Sequence, residues 1–430
     1  MSDALNDSLN DRPTRPQRHL THLLPAKSIT RGPRHHFFGY YDKCPWDLTG
    51  RYMLCLETDF ADRPANGTQA ARVMLVDLYH PAGPSLTLLD ETLAWCWQQG
   101  NMLQWMNGSK REVIYNALND GVFVSVVRDI HTRASRVLPL PIYTLCPKGS
   151  IAASLNFARL GERRPGYGYP ALPDPYRDEL TPAGDGIRMM NLTTGRHELI
   201  VSLQQIVAQF PQGVDQQTHH WFNHLQFNTD GSLLAFMHRW AIGPNRRQTR
   251  LFTVRPDGSE LKLLCDWTIF SHYDWLSPTQ LVAFAQHPAR GYGYYLFEVG
   301  SSRVRVIGEG LYDRDGHCRF SPDKQWMLTD TYRDASGHQT LILHHLASDQ
   351  RIDIGRLLTP ALSPSELRCD LHGRWSRDGS QICVDTMRDG TRQLAVVDVT
   401  PVTQAFSSVP HDWQALLPVC SLDASCVIQG

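Results

Sequence analysis

Four histidines, His224, His272, His317 and His372, each stand three residues ahead of an aromatic: Phe227, Trp275, Phe320 and Trp375. Each aromatic opens a turn signal, such as Asn-Thr-Asp-Gly or Ser-Arg-Asp-Gly, and a strand-like apolar run follows. Neutral imidazole is a good ligand for Mn, Zn, Fe or Ni. Converging histidines would make a divalent-metal site with room for a substrate oxygen. One histidine at a strand start more often hydrogen-bonds to neighbouring backbone. Four in one register point instead to a shared site.

A second register lies beside the first. Arg239, Arg333 and Arg388 each follow the second strand of their repeat, on the same end of the unit as the histidines. Arginine grips carboxylates through a planar fork, so the three suggest an acidic ligand. Arg368 and Asp370 precede His372 and are candidates to orient it, with Arg368 also within reach of substrate. Near the N-terminus, Tyr40, Tyr41, Asp42 and Lys43 form a cluster in which Tyr40, Tyr41 or Lys43 can serve as a general base. His220, in His-His-Trp-Phe-Asn-His, is a further base candidate. Trp105, with Trp95 and Trp97, can stack on a sugar ring, although packing between repeats is the commoner role of such indoles.

The elements that must carry these residues follow from the spacing. Aromatic or apolar anchors at 46, 105, 145, 227, 275, 320 and 375 precede turn signals and strand-like runs. The spacing is mostly about 50 residues, the period of a β-propeller blade. We therefore expect an all-β, single-domain, seven-bladed β-propeller of four-stranded blades over residues 31–430, closed by pairing segments from both termini. The innermost strands line the channel, so His224, His272, His317 and His372 should ring one mouth. Lys43, Met102 and Ile142 hold that register in the first three blades. Residues 1–30 read as a flexible arm, residues 158–185 as an ordered lid loop, and Val201–Phe210 as one short amphipathic helix. After residue 400, the main strand-like run is Trp413–Leu417.

Composition narrows the partners. The chain has 430 residues and a net charge of −1, so no global field attracts nucleic acid or an anionic membrane. The polar N-terminus lacks the apolar core of a signal peptide, and no apolar run is long enough to span a bilayer. Ten scattered cysteines without a Cys-x-x-Cys pair read as free thiols in a cytoplasmic protein.

Asn223-His224-Leu225-Gln226-Phe227-Asn228, Leu234-Ala235-Phe236-Met237-His238 and Arg255-Pro256-Asp257-Gly258 resemble the matching blade of oligogalacturonate lyases. Ser271-His272-Tyr273-Asp274-Trp275 is similar to a metal-ligand stretch of that family. The resemblance covers residues 219–390. The earlier Phe-Gly-Tyr-Tyr-Asp-Lys segment looks instead like uncharacterised bacterial propeller proteins. The resemblance implies a cytoplasmic seven-bladed propeller that cleaves uronides by β-elimination at a histidine-held metal, manganese before zinc, iron or nickel. The lyases carry a Gln and two close histidines in their last ligand segment. Here Cys369-Asp370-Leu371-His372-Gly373-Arg374 offers one histidine, with Arg374 where a second would fall, and His317 is placed to compensate.

The chemistry expected is a metal-assisted polysaccharide lyase acting on an acidic oligosaccharide. A glycoside hydrolase on an acidic glycan is the second enzyme reading. It needs two carboxylates flanking the bond, from Asp42, Asp330 and Asp385. A non-catalytic propeller that binds a protein or glycan is the third.

Overall fold

The computed structural model describes residues 18–243, 246–267, 269–406 and 413–422. Seven antiparallel sheets of four core strands form the seven blades of a β-propeller. In blade 4 the strands run His220–Phe227, Leu234–Ala241, Arg247–Val254 and Lys262–Cys265 from inside out. The anchors expected at 105, 145, 227, 275, 320 and 375 each end an innermost strand, and Trp46 bridges to Met53 in the first blade. The indoles among them stitch neighbours. Trp105 donates its Nε1–H to the carbonyl of Pro45 (2.8 Å), and Trp275 and Trp375 donate to Gln226 and Arg319.

Both termini close the ring. Blade 7 takes Arg374–Trp375, Gln381–Thr386 and Gln393–Asp398 from the C-terminal part, and its outer strand is Ala26–Ser28. His19–Thr21 adds in parallel to the edge of blade 6, and Val419–Ser421 to the edge of blade 5. The flexible-arm expectation therefore fails for residues 18–30: their backbone groups complete ladders that would otherwise end as open edges. Residues 1–17 lie outside the described residues. The strand expected at 413–417 is a short 3₁₀ turn, Trp413–Leu416, and the strand follows it.

The first blade breaks its inner strand to feed the axis. His35–Phe37 pairs with the second strand, and pairing resumes only at Trp46. The intervening residues bring Tyr40 and Tyr41 inward, where both are buried. Gly39 permits the excursion: its φ is +118°, and a Cβ there would meet the Gln99 carbonyl oxygen at 2.8 Å. Arg374 fixes the segment in place. Fully buried, it forms two 3.0 Å bonds to Asp385 and donates to the carbonyls of Gly39 and Tyr40. We expect Arg374→Met to cost roughly 3–5 kcal/mol, because Asp385 would remain buried and unpaired. A denaturant midpoint within error of the parent would refute this.

The segment 158–185 is ordered. It starts in the helix Phe157–Arg163, which the sequence reading missed, whereas the helix Leu203–Gln209 matches the one expected at 201–210. Arg159 is buried in the segment. It pairs with Asp174 at 2.8 Å and donates to the carbonyls of Tyr176, Glu179, Leu180 and His220. The chain then doubles back so closely that a Cβ on Gly168 would lie 2.1 Å from the Gly161 nitrogen.

Asp185, at the end of this segment, is buried with an Asn156 amide at 3.0 Å. Burial pushes its pKa up to about 6 from 3.8. The folded state thus holds a proton there that the unfolded chain releases, and stability falls as pH rises from about 4 to about 6. Asp185→Asn should remove that dependence, gaining roughly 2–3 kcal/mol over the parent at neutral pH and little at pH ~4. Parallel melting curves of the two proteins across this window would refute the assignment.

The nine described cysteines are unpaired. Among the described residues, no helix is long and apolar enough to cross a membrane.

Candidate metal and anion site

The four histidines gather at one mouth of the axial channel, around Tyr40 and Tyr41. Ring centroids of His224 and His372 lie 5.1 and 5.3 Å from Tyr40. Those of His272 and His317 lie 5.5 and 5.4 Å from Tyr41. His317 is 4.1 Å from His272 and 4.3 Å from His372.

Local backbone irregularity turns these side chains to the axis. In blades 4 and 5 the inner ladder shifts register at 223–226 and 270–273, so His224 and His272 sit in bulges. His224 and His372 also adopt positive φ, +49° and +44°. Such strain in non-glycine residues persists where the surroundings over-determine it.

Carboxylates hold part of the ring. Asp330 accepts from both the backbone N–H (2.9 Å) and Nδ1 (2.8 Å) of His317, and from the His372 N–H at 3.1 Å. Asp315 holds His272 Nδ1 at 3.1 Å. Burial alone would lower the pKa of His317, but Asp330, with Asp370 and Asp315, raises it above the ordinary histidine value. Burial drives His224 and His372 well below that value, so both are neutral imidazoles.

One donor atom each from His317, Asp370 and His372 lie within 4.8 Å of one another, and all three residues are buried. His372 Nε2 has no protein partner. Two imidazoles and a carboxylate, one imidazole anchored from behind by a second carboxylate, suit a divalent ion such as Mn or Zn. Of the four expected histidines, His317 and His372 belong to this candidate donor group, and His224 and His272 lie outside it. Asp370, anticipated as an orienting group, joins the donors. His224 instead stacks on Tyr273 at 4.2 Å and reaches toward Tyr41 and Asp42. Arg374, in the place of a second histidine, is taken up by Asp385.

Cations flank this cluster. Arg239 is buried, and among the described residues its side chain bonds Thr249 Oγ1 and the Met237 sulfur. Burial, reinforced by Arg247 and Arg164, lowers its pKa to about 9. Among the described residues none of these three arginines has a carboxylate in ion-pair range, and Arg164 Nε is buried without a partner. Arg164 stacks on Tyr167 at 4.6 Å. Tyr167, from the 158–185 segment, meets Tyr40 edge-on at 6.5 Å. Burial would raise its pKa, but Arg164, Arg368 and Arg247 outweigh burial and lower it. Arg368 pairs with Asp370 at 3.0 Å and lies over Tyr332.

The other expected site residues lie elsewhere or have their reactive atoms engaged. Arg333 is exposed and holds the Thr359 carbonyl, and Arg388 bonds Ser28 and Asp389 on the rim. Trp105 is spent on interblade stitching. His220 has both ring nitrogens engaged, by His238 at 2.9 Å and the Asp215 carbonyl at 2.8 Å. Lys43 is clamped by Asp42 at 2.9 and 3.0 Å. Tyr41 OH is bonded to both backbone groups of Tyr273, and burial raises its pKa rather than lowering it. Tyr40 is central, but burial raises its pKa also.

Arg164, Arg247 and Tyr167 were not singled out from the sequence. For Arg164 and Tyr167 the signal was the arginine- and tyrosine-rich 158–185 stretch, and for Arg247 there was none.

No family model matches the chain, and no curated protein matches it by sequence. Solved structures do match its fold. An oligogalacturonate lyase from Vibrio parahaemolyticus superposes with a TM-score of 0.58 at 13% identity, covering 87% of this chain and 94% of that one. An oligogalacturonate lyase in complex with manganese superposes with a TM-score of 0.57 at 15% identity, covering 91% and 96%. The resemblance read from residues 219–390 thus extends, as architecture, over most of the chain.

Proposed function

We propose that this protein is a metal-assisted lyase that cleaves a uronic-acid-containing oligosaccharide by β-elimination. The observation that carries the reading is that the His317–Asp370–His372 donor group and the cations Arg239, Arg247 and Arg164 gather round the same pair, Tyr40 and Tyr167. The structural likeness to a manganese-bound oligogalacturonate lyase supports a divalent ion, manganese first, and an acidic sugar.

His317, Asp370 and His372 would hold the ion, which when bound would withdraw charge from the uronate carboxylate and acidify the adjacent C–H. Arg239 and Arg247 would bind carboxylate oxygens in a dry setting, where charge neutralisation is worth most. Tyr167, its phenolate favoured by three arginines, is the base we assign to the C5 proton. The electron pair then forms the C4–C5 double bond as the C4–O bond breaks. Tyr40, kept protonated by burial, is placed to return a proton to the leaving oxygen. Tyr167 thereby replaces Lys43, Tyr41 and His220, whose reactive atoms are already engaged.

The hydrolase reading is weaker. Asp42, Asp330 and Asp385 are bound to Lys43, His317 and Arg374 respectively, which leaves no free carboxylate pair among them.

The test is to load untagged protein with Mn or Zn and incubate it with oligogalacturonides and oligoglucuronides, following ultraviolet absorbance of an unsaturated product. Metal-dependent absorbance that falls about 10²-fold or more in Tyr167→Phe is expected. Stoichiometric metal without product from any uronide would discard the lyase reading and leave a binding propeller.

A further inference from the structure

We propose a second ligand site at the opposite mouth of the channel, which takes a small phosphorylated molecule. It is independent of the lyase reading, because no histidine of the ring borders it.

The channel there opens into a cavity of about 420 Å³, within the range of small-molecule pockets. The anchor residues of blades 2 to 7, Trp105, Leu145, Phe227, Trp275, Phe320 and Trp375, line its wall. Its charged lining is Asp42, Lys43, Asp274, Arg319, Lys324 and Arg377. Four cations stand against two acids, and Asp274 attracts Lys324. Asp42 neutralises Lys43. Asp274 accepts the Gln226 side-chain N–H at 2.7 Å and the Phe320 N–H at 2.8 Å.

Arg319, Lys324 and Arg377 have no carboxylate partner among the described residues. Each donates to one backbone carbonyl instead: Arg319 to Tyr41 (2.8 Å), Lys324 to Trp275 (3.0 Å) and Arg377 to Trp46 (2.8 Å). Among the described residues their remaining N–H groups have no hydrogen-bond acceptor, and the Lys324 ammonium lies over the Phe320 ring at 5.4 Å. A concave wall with a local cation excess concentrates anions, even on a chain that is nearly neutral overall.

Lys324 adds an independent observation. In blades 1, 4 and 7 the fourth residue after the anchor is Gly50, Gly231 or Gly379, with φ of +72°, +79° and +73°. Each N–H closes a turn onto the residue three before it. Blade 6 makes the same turn, Lys324 N–H to the Ser321 carbonyl at 3.0 Å, but with lysine at φ +60°. That conformation disfavours any residue with a Cβ. Where the equivalent turns carry glycine, blade 6 thus carries a lysine on the cavity wall. A point charge and two partly free guanidinium groups suit a tetrahedral phosphate, which accepts from several directions, better than a carboxylate, which takes one in-plane fork.

Calorimetric titration of the full chain with inorganic phosphate and with glucose 6-phosphate, beside acetate, tests this. We expect saturable one-to-one binding of the phosphates but not of acetate, weakened at least about tenfold in Lys324→Gly and in Arg377→Ala. Lys324→Gly should melt at the same temperature as the parent or higher, so lost binding could not be ascribed to unfolding. No saturable phosphate binding, or binding as tight in Lys324→Gly as in the parent, would overturn the proposal. So would binding lost in Arg239→Met but kept in Lys324→Gly, which would place the anion at the histidine mouth.

Discussion

His372→Ala is expected to abolish stoichiometric metal binding and, with it, uronide cleavage. His372 Nε2 is buried, without a protein partner and grouped with donors from His317 and Asp370, so removing it leaves two donors. Asp330→Asn should give a graded loss. Asp330 touches no substrate in this reading but orients His317 and His372 together, and loss of such a supporting carboxylate costs about 10–100-fold in metal affinity. His372→Ala should exceed that range. His224→Ala should retain the metal, because His224 stacks on Tyr273 outside the donor group. Titration of the apoprotein with Mn, read by elemental analysis after desalting, checks the series. A series in which His224→Ala loses the ion and His372→Ala keeps it would place the site on the other side of Tyr40 and refute the donor assignment.

Arg239→Met should make the protein more stable and less active. Arg239 is a buried cation with no ion-pair partner among the described residues, and burial already lowers its pKa to about 9. Replacing it with an apolar side chain of similar length removes an uncompensated desolvation cost. A gain of roughly 1–3 kcal/mol is expected. Its cost would fall on function: if the guanidinium binds a uronate carboxylate, cleavage should drop by about 10²–10³-fold. Opposite movement of stability and activity is the signature of a residue held for binding. A destabilised variant would mean that Arg239 is structural. A stabilised variant with full uronide turnover would remove it from the site. Arg333→Ala and Arg388→Ala, which reach only rim carbonyls, Ser28 and Asp389, should leave the uronide KM unchanged.

The arginines of the second register stand 12, 13 and 13 residues after Phe227, Phe320 and Trp375, and only Arg239 belongs to the cluster. Arg239 lies within the second strand of its blade, Leu234–Ala241, and points inward. Arg333 and Arg388 follow strands that end earlier, at Asp330 and Thr386, and turn to the rim. Strand length sets which way the residue faces, because side chains alternate along a strand, and the motif does not encode that length. Lys43 kept its register but not its role, because Asp42 closes on it from the adjacent position.

The residues alone determined the architecture and the histidine ring. Anchor, turn and strand recur along the chain, and a closed propeller has one way to superpose equivalent positions: around the axis. A property of the repeat therefore needs no knowledge of distant contacts. Arg164 and Tyr167 come from the one long insertion, and Arg247 from the outer side of a hairpin, so no repeat register links them to the axis. Asp370 enters the candidate donor group because His317, 53 positions away in the chain, comes to lie across from it, and His224 stacks on Tyr273 outside that group. Tertiary structure alone decided these assignments, because they depend on distances between segments that share no periodicity, and on which buried charge finds a partner within a few ångströms.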